Sequence, residues 1–371
     1  MQNIVGAIVT DENFFDRFAD LEQLRDAAVR QNVLLLAPRR VGKSSLLHRL
    51  REDLETGKDT FHAIYLSVEG VRDELDFVRE LFREVEARST RADRGLRRIK
   101  RFFMRAEEIE IASAIKLKLA SAEPSTWQDH ADELGALLAR LEGHWFYLLD
   151  EVPVFVLRLL EGDPEGKRAR AFLEWFRALR QRLSLARARS QQALRHHWVL
   201  AGSIGLDTVA ARYGLSATIN DLATRRLGPF ATSDAQDFLR ALSKAEGVPL
   251  SEEVIGQVLD RVGWLIPFHL QLVFAKLREA YDRAPAQARA EPAAADVDRA
   301  IDALLHDRKE FDGWRERLAL ELGAADARAA FEILRLCAAD PAGARKSTLE
   351  AALGDPTSGD RDERRLRFLL D

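Results

Sequence analysis

The chain of 371 residues has only one cysteine, Cys337, and no long apolar run. One cysteine cannot form an internal disulfide or a cysteine-rich metal site. No apolar run approaches the roughly 20 residues that a membrane-spanning helix needs. The first residues, Met1-Gln2-Asn3, also lack the charged and apolar regions of a signal peptide. We therefore expect a cytoplasmic protein without a membrane partner.

An excess of charge of one sign is also missing, because 56 Lys and Arg against 60 Asp and Glu leave a net charge of −4. A protein that coats nucleic acid or an anionic membrane usually carries a clear basic excess. The balance argues against such a coat but leaves room for a local basic patch. A hydrophobic content of 47% and a charged content of 31% are typical of globular proteins and exclude wholesale disorder.

The first half of the chain alternates short apolar runs with amphipathic stretches, which is typical of βαβ units and a parallel sheet. The run 145–149 (WFYLL) is continuous rather than alternating, as strands covered on both faces are. The predicted strands are 33–36, 62–66, 145–149 and 198–202, and a fifth strand that ends at 227–230.

From residue 232 onward the strand patterns stop and helical patterns take over. Helices are predicted over 232–245, 251–262, 267–283 and 297–306. Beyond them, short helix patterns separated by turns at 340–343 and 354–356 predict the start of a helix-turn-helix or winged-helix module.

An insertion at 88–120 interrupts the α/β pattern. Its part 88–105 carries eight basic side chains against Asp93 alone, a local net charge of +7. The part 109–119 alternates with period two and predicts a small hairpin. The basic part is a candidate contact for a polyanionic or acidic partner, and a solvated helical face is the alternative.

The segment 37–44 (APRRVGKS) follows the first predicted strand and opens a helical pattern. It fits the phosphate-loop pattern G-x-x-x-x-G-K-[ST], except that Ala37 replaces the first glycine. In such a loop, backbone N–H groups and the helix dipole attract a phosphate. Gly42 allows close approach, Lys43 reaches the β- and γ-phosphates, and the Ser44 hydroxyl ligates Mg²⁺. We therefore predict ATP or ADP with Mg²⁺ as cofactors, with Ala37 tolerated if its φ is negative.

An acidic pair, Asp150 and Glu151, ends the apolar run 145–149. In a nucleotide site, Asp150 would hold Mg²⁺, mostly through water, and Glu151 would polarise the attacking water as general base. A helix cap produces the same local pattern, so the pair is informative only together with the phosphate loop.

These motifs resemble the archaeal-type ATPase family within the AAA+/STAND group of P-loop NTPases, over about residues 14–275. The family opens with Phe-x-Gly-Arg-x-x-Glu-Leu, and 14–24 (FFDRFADLEQL) is similar to it with Asp16 in place of the glycine. Its loop often has the sequence GPRRxGKTSL, and 38–46 (PRRVGKSSL) matches closely with Ser44 at the metal position.

The resemblance also implies roles for residues outside the loop. Phe15 and Arg17 would lie near the adenine, Ser203 would be a polar sensor near the γ-phosphate, and Pro267 would pack on the nucleotide. Together with Lys43 and Glu151, Ser203 is a candidate catalytic residue. One of Arg212, Arg225 and Arg226 would approach a phosphate, with ordinary surface arginine as the alternative. The candidate nucleotide-binding residues are Pro38, Arg39, Arg40, Val41, Gly42, Lys43, Ser44, Ser45, Arg17 and Pro267.

The domain organisation implied by the resemblance is an AAA+/STAND-like nucleotide-binding domain over 1–231, a helical lid over 232–308 and a helix-turn-helix or truncated winged-helix-like module over 309–371. The fold class is accordingly α/β, a P-loop NTPase parallel sheet flanked by helices and followed by helical parts.

Three functions fit this architecture. The first is a molecular-switch ATPase that hydrolyses ATP slowly and regulates a protein partner through domain movement. The second is an ATP-dependent DNA-binding protein of origin-recognition or transposition type, with contacts through 88–105 or the C-terminal module. The third is a catalytically weak scaffold, motivated by Ala37. A homo-oligomer is left open.

Overall fold

The computed structural model describes residues 1–56, 61–89, 126–161, 163, 165–188, 196–203, 205–285, 289–307, 309–339 and 344–352. The predicted hairpin at 109–119 and the last predicted helix pattern beyond 354–356 lie outside the described residues, as does the basic stretch beyond residue 89.

A parallel five-stranded sheet forms the centre of the α/β part, with the strand order β2-β3-β4-β1-β5. The first four predicted strands are confirmed with ends shifted by no more than two residues. The strands are β1 Val33–Leu36, β2 Phe61–Ser67, β3 His144–Asp150, β4 His196–Gly202 and β5 Ala223–Arg226.

The fifth strand differs from the prediction, because it ends at Arg226 and not at 227–230. Its partner β1 ends at Leu36, where the chain turns into the phosphate loop, and Leu227 N donates the final hydrogen bond to Leu36 O at 2.9 Å. Pro229 has no N–H group with which to continue the ladder.

Helices cover both faces of this sheet and form the rest of the described chain. The helices of the α/β part are α1 Phe18–Arg30, α2 Lys43–Thr56, α3 Glu74–Arg88, α4 Trp127–Leu138, α5 Val152–Leu160, α6 Lys167–Ala188 and α7 Leu206–Arg212. The later helices are α8 Thr232–Glu246, α9 Glu252–Val262, α10 Pro267–Arg283, α11 Ala294–Asp307, α12 Lys309–Ala339 and α13 Lys346–Ala352.

The four helices predicted after residue 232 are confirmed as α8 to α11, and their role as a lid stays a prediction. The C-terminal part differs, since α12 is one helix of 31 residues and the winged helix is not shown by the described residues. No proline interrupts 309–339, and the segment is rich in Ala, Leu, Glu and Arg, which favour helix. The helix ends at Ala339, and the predicted turn at 340–343 lies outside the described residues. The domain boundaries at 231 and 308 stay predictions.

Alternate residues of β1 to β4 face two separate cores, which explains the continuous apolar runs. On one face, Tyr147 and Trp198 pack against α3 to α6. On the other face, Phe146 and Val199 pack against α1, α2 and the lid helices. The aromatic side of α6 belongs to the core: Phe172 has no exposed surface.

No described helix combines enough length and apolarity to cross a membrane. Cys337 is half-buried on α12, where it packs beside Ile333 and Leu349 rather than being fully enclosed.

We predict that Phe172→Ala lowers the free energy of unfolding by about 3–5 kcal/mol, because the deleted ring leaves a cavity in the core. Phe172 lies 4.9 Å from the Phe77 ring and 5.1 Å from the Phe155 ring, centroid to centroid. Urea unfolding followed by tryptophan fluorescence measures the change. The control Leu305→Ala, at a side chain that is 60% exposed, should alter stability by less than about 0.5 kcal/mol.

Candidate nucleotide site

A cavity of about 460 Å³ lies at the carboxyl ends of β1, β3 and β4, beside the start of the lid helix α10. In open parallel sheets, ligands bind at the carboxyl ends of the strands. The cavity wall includes every residue predicted as catalytic, nucleotide-binding or metal-binding, apart from the three candidate phosphate arginines. These residues are Arg17, Pro38, Arg39, Arg40, Val41, Gly42, Lys43, Ser44, Ser45, Asp150, Glu151, Ser203 and Pro267.

The phosphate loop connects β1 to α2 and contains two residues in the left-handed region. Gly42 has a φ of 95° and Arg40 has a φ of 66°. A Cβ atom at Gly42 would meet nothing within 4 Å, so the backbone conformation and not the space favours glycine there. Ala37 has no positive φ, so an alanine fits the first loop position without strain.

Lys43 carries a buried charge that two carboxylates neutralise. Its side chain is 6% exposed. The ammonium group donates to Asp150 Oδ1 and, at 2.7 Å, to Glu151 Oε1. A buried ammonium needs such partners because desolvation of an unpaired charge is costly. The residues predicted from two distant motifs therefore form one network.

Glu151 joins this network to the fourth strand. Ser203, directly after β4, donates its backbone N–H (3.1 Å) and its hydroxyl (2.9 Å) to Glu151 Oε2. Glu151 has a φ of 60° at the N-terminus of α5. A non-glycine residue held in this region costs free energy, and such strain clusters at functional sites.

Sequence reasoning missed Tyr65 on β2. Its hydroxyl donates to Asp150 Oδ2 at 3.0 Å. Burial and the adjacent Asp150 carboxylate raise the pKa of Tyr65 above its ordinary value. The hydroxyl therefore keeps its proton and stays a donor at neutral pH. Period-two alternation along 62–66 could have placed Tyr65 on the same face as the acid, but only with the strand order known.

Arg17 lies in the cavity wall, and its guanidinium group binds the Asp20 carboxylate (3.1 Å) and two backbone carbonyls. Its Nη2 donates to Val41 O (3.1 Å) in the phosphate loop and to Gly228 O (2.8 Å) after β5. The guanidinium carbon also lies 4.7 Å from the Phe230 ring centroid. Arg17 therefore fastens the phosphate loop to the segment that follows the sheet.

An aromatic cluster forms part of the wall beside Arg17. Phe15, implied by the resemblance, lies 5.2 Å from Phe238 and 6.4 Å from Phe230, centroid to centroid. Phe230 and Phe238 were not predicted, because nothing in their local sequence distinguishes them from core residues. Apolar aromatic walls of this kind are typical of the pockets that hold planar ligands.

The lid and the N-terminal segment meet the phosphate loop at Arg40. Its Nη1 donates to Gly6 O at 2.8 Å, and its guanidinium carbon lies 4.5 Å from the Phe268 ring centroid. Phe268 follows Pro267 at the start of α10. Val9 N donates to Ser45 Oγ at 3.0 Å, so the N-terminal segment also contacts the first turn of α2.

The three candidate phosphate arginines do not reach the described cavity wall. Arg225 and Arg226 are exposed at the end of β5. Arg212 binds Asp326 Oδ2 on α12 at 2.6 Å. Whether one of them approaches a phosphate on a neighbouring subunit stays a prediction.

The oxygens at the start of α2 and at the end of β3 fit Mg²⁺. Ser44 Oγ donates to Asp150 Oδ2 at 2.6 Å, which places a hydroxyl and a carboxylate side by side in the cavity wall. Magnesium prefers oxygen ligands and is usually held by one or two carboxylates plus substrate phosphates. Among the described residues no cluster of three or more acidic, His or Cys side chains forms a metal cage, which agrees with that mode.

We predict that Arg17→Met lowers the free energy of unfolding by about 1–3 kcal/mol without any nucleotide, since it removes the donor from the buried Val41 carbonyl. Thermal and urea unfolding of the nucleotide-free chain measure this. Unchanged stability together with weaker nucleotide binding would instead make Arg17 a direct nucleotide ligand. Arg30→Met, at an exposed arginine of α1, is the matched control.

No family model and no curated protein matches the chain. Among solved structures, a Walker-type ATPase of Pyrococcus abyssi has a TM-score of 0.54 at 16% identity, covering 100% of this chain and 93% of its own. The ADP form of the ORC2 protein of Aeropyrum pernix has a TM-score of 0.50 at 13% identity, covering 97% of this chain and 87% of its own. Identities this low speak for the fold alone. The chain therefore has the fold of the AAA+-type P-loop ATPases, as the resemblance in its motifs predicted.

Proposed function

We propose that the protein is a molecular-switch ATPase that binds ATP with Mg²⁺ in this cavity and hydrolyses it slowly. One observation carries the proposal. Polar side chains from three separate motifs form one hydrogen-bonded network beside the phosphate loop. They are Lys43, Asp150, Glu151 and Ser203. A capping role for the acidic pair would not require a buried lysine between the two carboxylates.

Phosphate binding begins at the N-terminus of α2. The loop N–H groups and the helix dipole attract the phosphates, and Lys43 exchanges its two carboxylate partners for phosphate oxygens. Ser44 and Asp150 would hold Mg²⁺, which neutralises charge on the β- and γ-phosphates when bound.

Glu151 is the proposed general base. Its Oε1 is bound to Lys43 at 2.7 Å and its Oε2 to Ser203. Departure of Lys43 toward the phosphates frees Oε1 to accept a proton from the attacking water. Ser203 keeps the other oxygen in place and acts as the sensor that reports the state of Glu151 to β4.

The lid supplies the proposed switch. Arg40 belongs to the phosphate loop, and its guanidinium group stacks on Phe268 of the lid helix α10. A change at the phosphates could therefore shift the lid directly, through the contact between Arg40 and Phe268. The aromatic wall around Phe15 supports a planar base, for which we propose adenine.

DNA binding is the alternative function, and no described contact favours it. Of the basic stretch 88–105, Arg88 is described, and it is bound to Glu84 (2.7 Å) and Glu55 (3.4 Å). The catalytically weak scaffold is not favoured either, because Ala37 is accommodated without strain. A protein partner, a homo-oligomer and a cytoplasmic location stay predictions.

We predict that Glu151→Gln reduces ATP turnover at least about 100-fold while ATP still binds, because general-base catalysis contributes about 10²–10⁴-fold. Lys43→Ala should lose both binding and turnover. Phosphate release and binding of a fluorescent ATP analogue measure the two properties. The control Glu142→Gln, at an exposed residue before β3, should match the parent chain. Normal binding and turnover by Lys43→Ala would refute the proposal.

We predict that Arg40→Asn uncouples the lid from the nucleotide. Asparagine tolerates the left-handed backbone at this position but cannot reach Phe268. In the parent chain, ATP should slow amide hydrogen exchange within 267–283, and in the variant this protection should fall although ATP is bound. Arg30→Asn is the control. Equal protection in the variant would show that Arg40 does not carry the coupling.

A further inference from the structure

We propose that Tyr65 is a positioning residue of the metal site, and that its hydroxyl fixes the Asp150 carboxylate in the orientation needed to hold Mg²⁺. This inference rests on the proposed ATPase function and names a residue that the motifs do not contain. Tyr65 acts through Asp150 and needs no contact with the phosphates themselves.

The Asp150 carboxylate accepts four hydrogen bonds from the described residues. Oδ1 accepts from Lys43 Nζ and from the backbone N–H of Glu151 at 2.9 Å. Oδ2 accepts from Ser44 Oγ at 2.6 Å and from Tyr65 OH at 3.0 Å. Each oxygen therefore has two donors, and the carboxylate plane is fully determined.

Two of these donors have another task when a nucleotide is bound. Lys43 moves to the phosphates, and the Ser44 hydroxyl turns its oxygen toward the metal. Two of the four described donors then remain on the Asp150 carboxylate. They are the backbone N–H of Glu151 on Oδ1 and the Tyr65 hydroxyl on Oδ2. Because one donor remains on each oxygen, the carboxylate keeps its plane only if Tyr65 is present.

The surroundings of Tyr65 hold its hydroxyl in place. Tyr65 pairs with Leu148 in the register of β2 and β3, two residues before Asp150, so both side chains lie on the same face of the sheet. Its ring centroid lies 4.0 Å from that of His48, which follows Ser44 by one turn of α2. The ring is thus packed between the two elements that carry the metal ligands.

Tyr65→Phe is the informative variant, because it keeps the ring and its contact with His48 and removes only the hydroxyl. We expect Mg²⁺–ADP to bind about tenfold more weakly, a change within the range for a hydrogen bond to a charged group. Binding of ADP in EDTA should stay unchanged, since Asp150 does not contact the phosphates in the absence of metal.

The experiment is calorimetric titration of the full chain with ADP, once with Mg²⁺ and once with EDTA, for the parent, Tyr65→Phe and Tyr281→Phe. Tyr281 is a half-buried tyrosine of α10 outside the cavity wall, and its variant should behave as the parent. Electron paramagnetic resonance of Mn²⁺ in the presence of ADP gives a second readout, in which Tyr65→Phe should bind less Mn²⁺.

Each outcome distinguishes a different failure. Equal weakening of ADP with and without Mg²⁺ would overturn the inference and make Tyr65 a nucleotide contact or a support of the fold. If Mg²⁺ strengthens ADP binding to Tyr65→Phe as much as it does to the parent chain, the inference would be overturned as well, while the ATPase proposal would stand. If the parent chain binds no ADP under either condition, the proposed function itself fails.

Discussion

The burial of one ammonium group, that of Lys43, sets the constraint on which the site depends. Without a phosphate, this charge is stable only because Asp150 and Glu151 face it, and loss of one partner of a buried pair costs about 3–5 kcal/mol. The partners lie on β3, while Lys43 follows β1, and β4 runs between these strands. The lysine therefore reaches across the end of β4, where Ser203 completes the network.

Under the proposed function, that constraint gives the lysine two alternative sets of partners, the acidic pair or the phosphates of a nucleotide. The exchange of one set for the other changes Glu151 at the same time, because its Oε1 is released as Lys43 leaves. Binding and activation are thus one electrostatic event. Lys43 donates to the oxygens of Asp150 and Glu151 until a phosphate takes the place of these carboxylates as its partner.

Local sequence patterns sufficed for much of this arrangement. The strand 145–149 and the acids after it, and the loop with Lys43 and Ser44, are continuous in the chain and could be predicted directly. The contacts of Tyr65 could not, because only the strand order brings β2 beside β3. Besides Asp20, the partners of Arg17 are the backbone carbonyls of Val41 and Gly228, which have no signature in residue type. The length of α12 follows from the lack of a proline within 309–339, a weaker signal than a proline or glycine that marks a helix end.

The shape of the phosphate loop is held by contacts that need no ligand. Arg17 binds the carbonyl of Val41, Arg40 binds that of Gly6, and Val9 N–H binds the hydroxyl of Ser45. These contacts support the left-handed conformations of Arg40 and Gly42. A preformed site spends less of the binding free energy on ordering itself. Under the proposed function, the free energy of nucleotide binding would therefore be available to move Lys43 off the acids and, through Arg40, to shift helix α10.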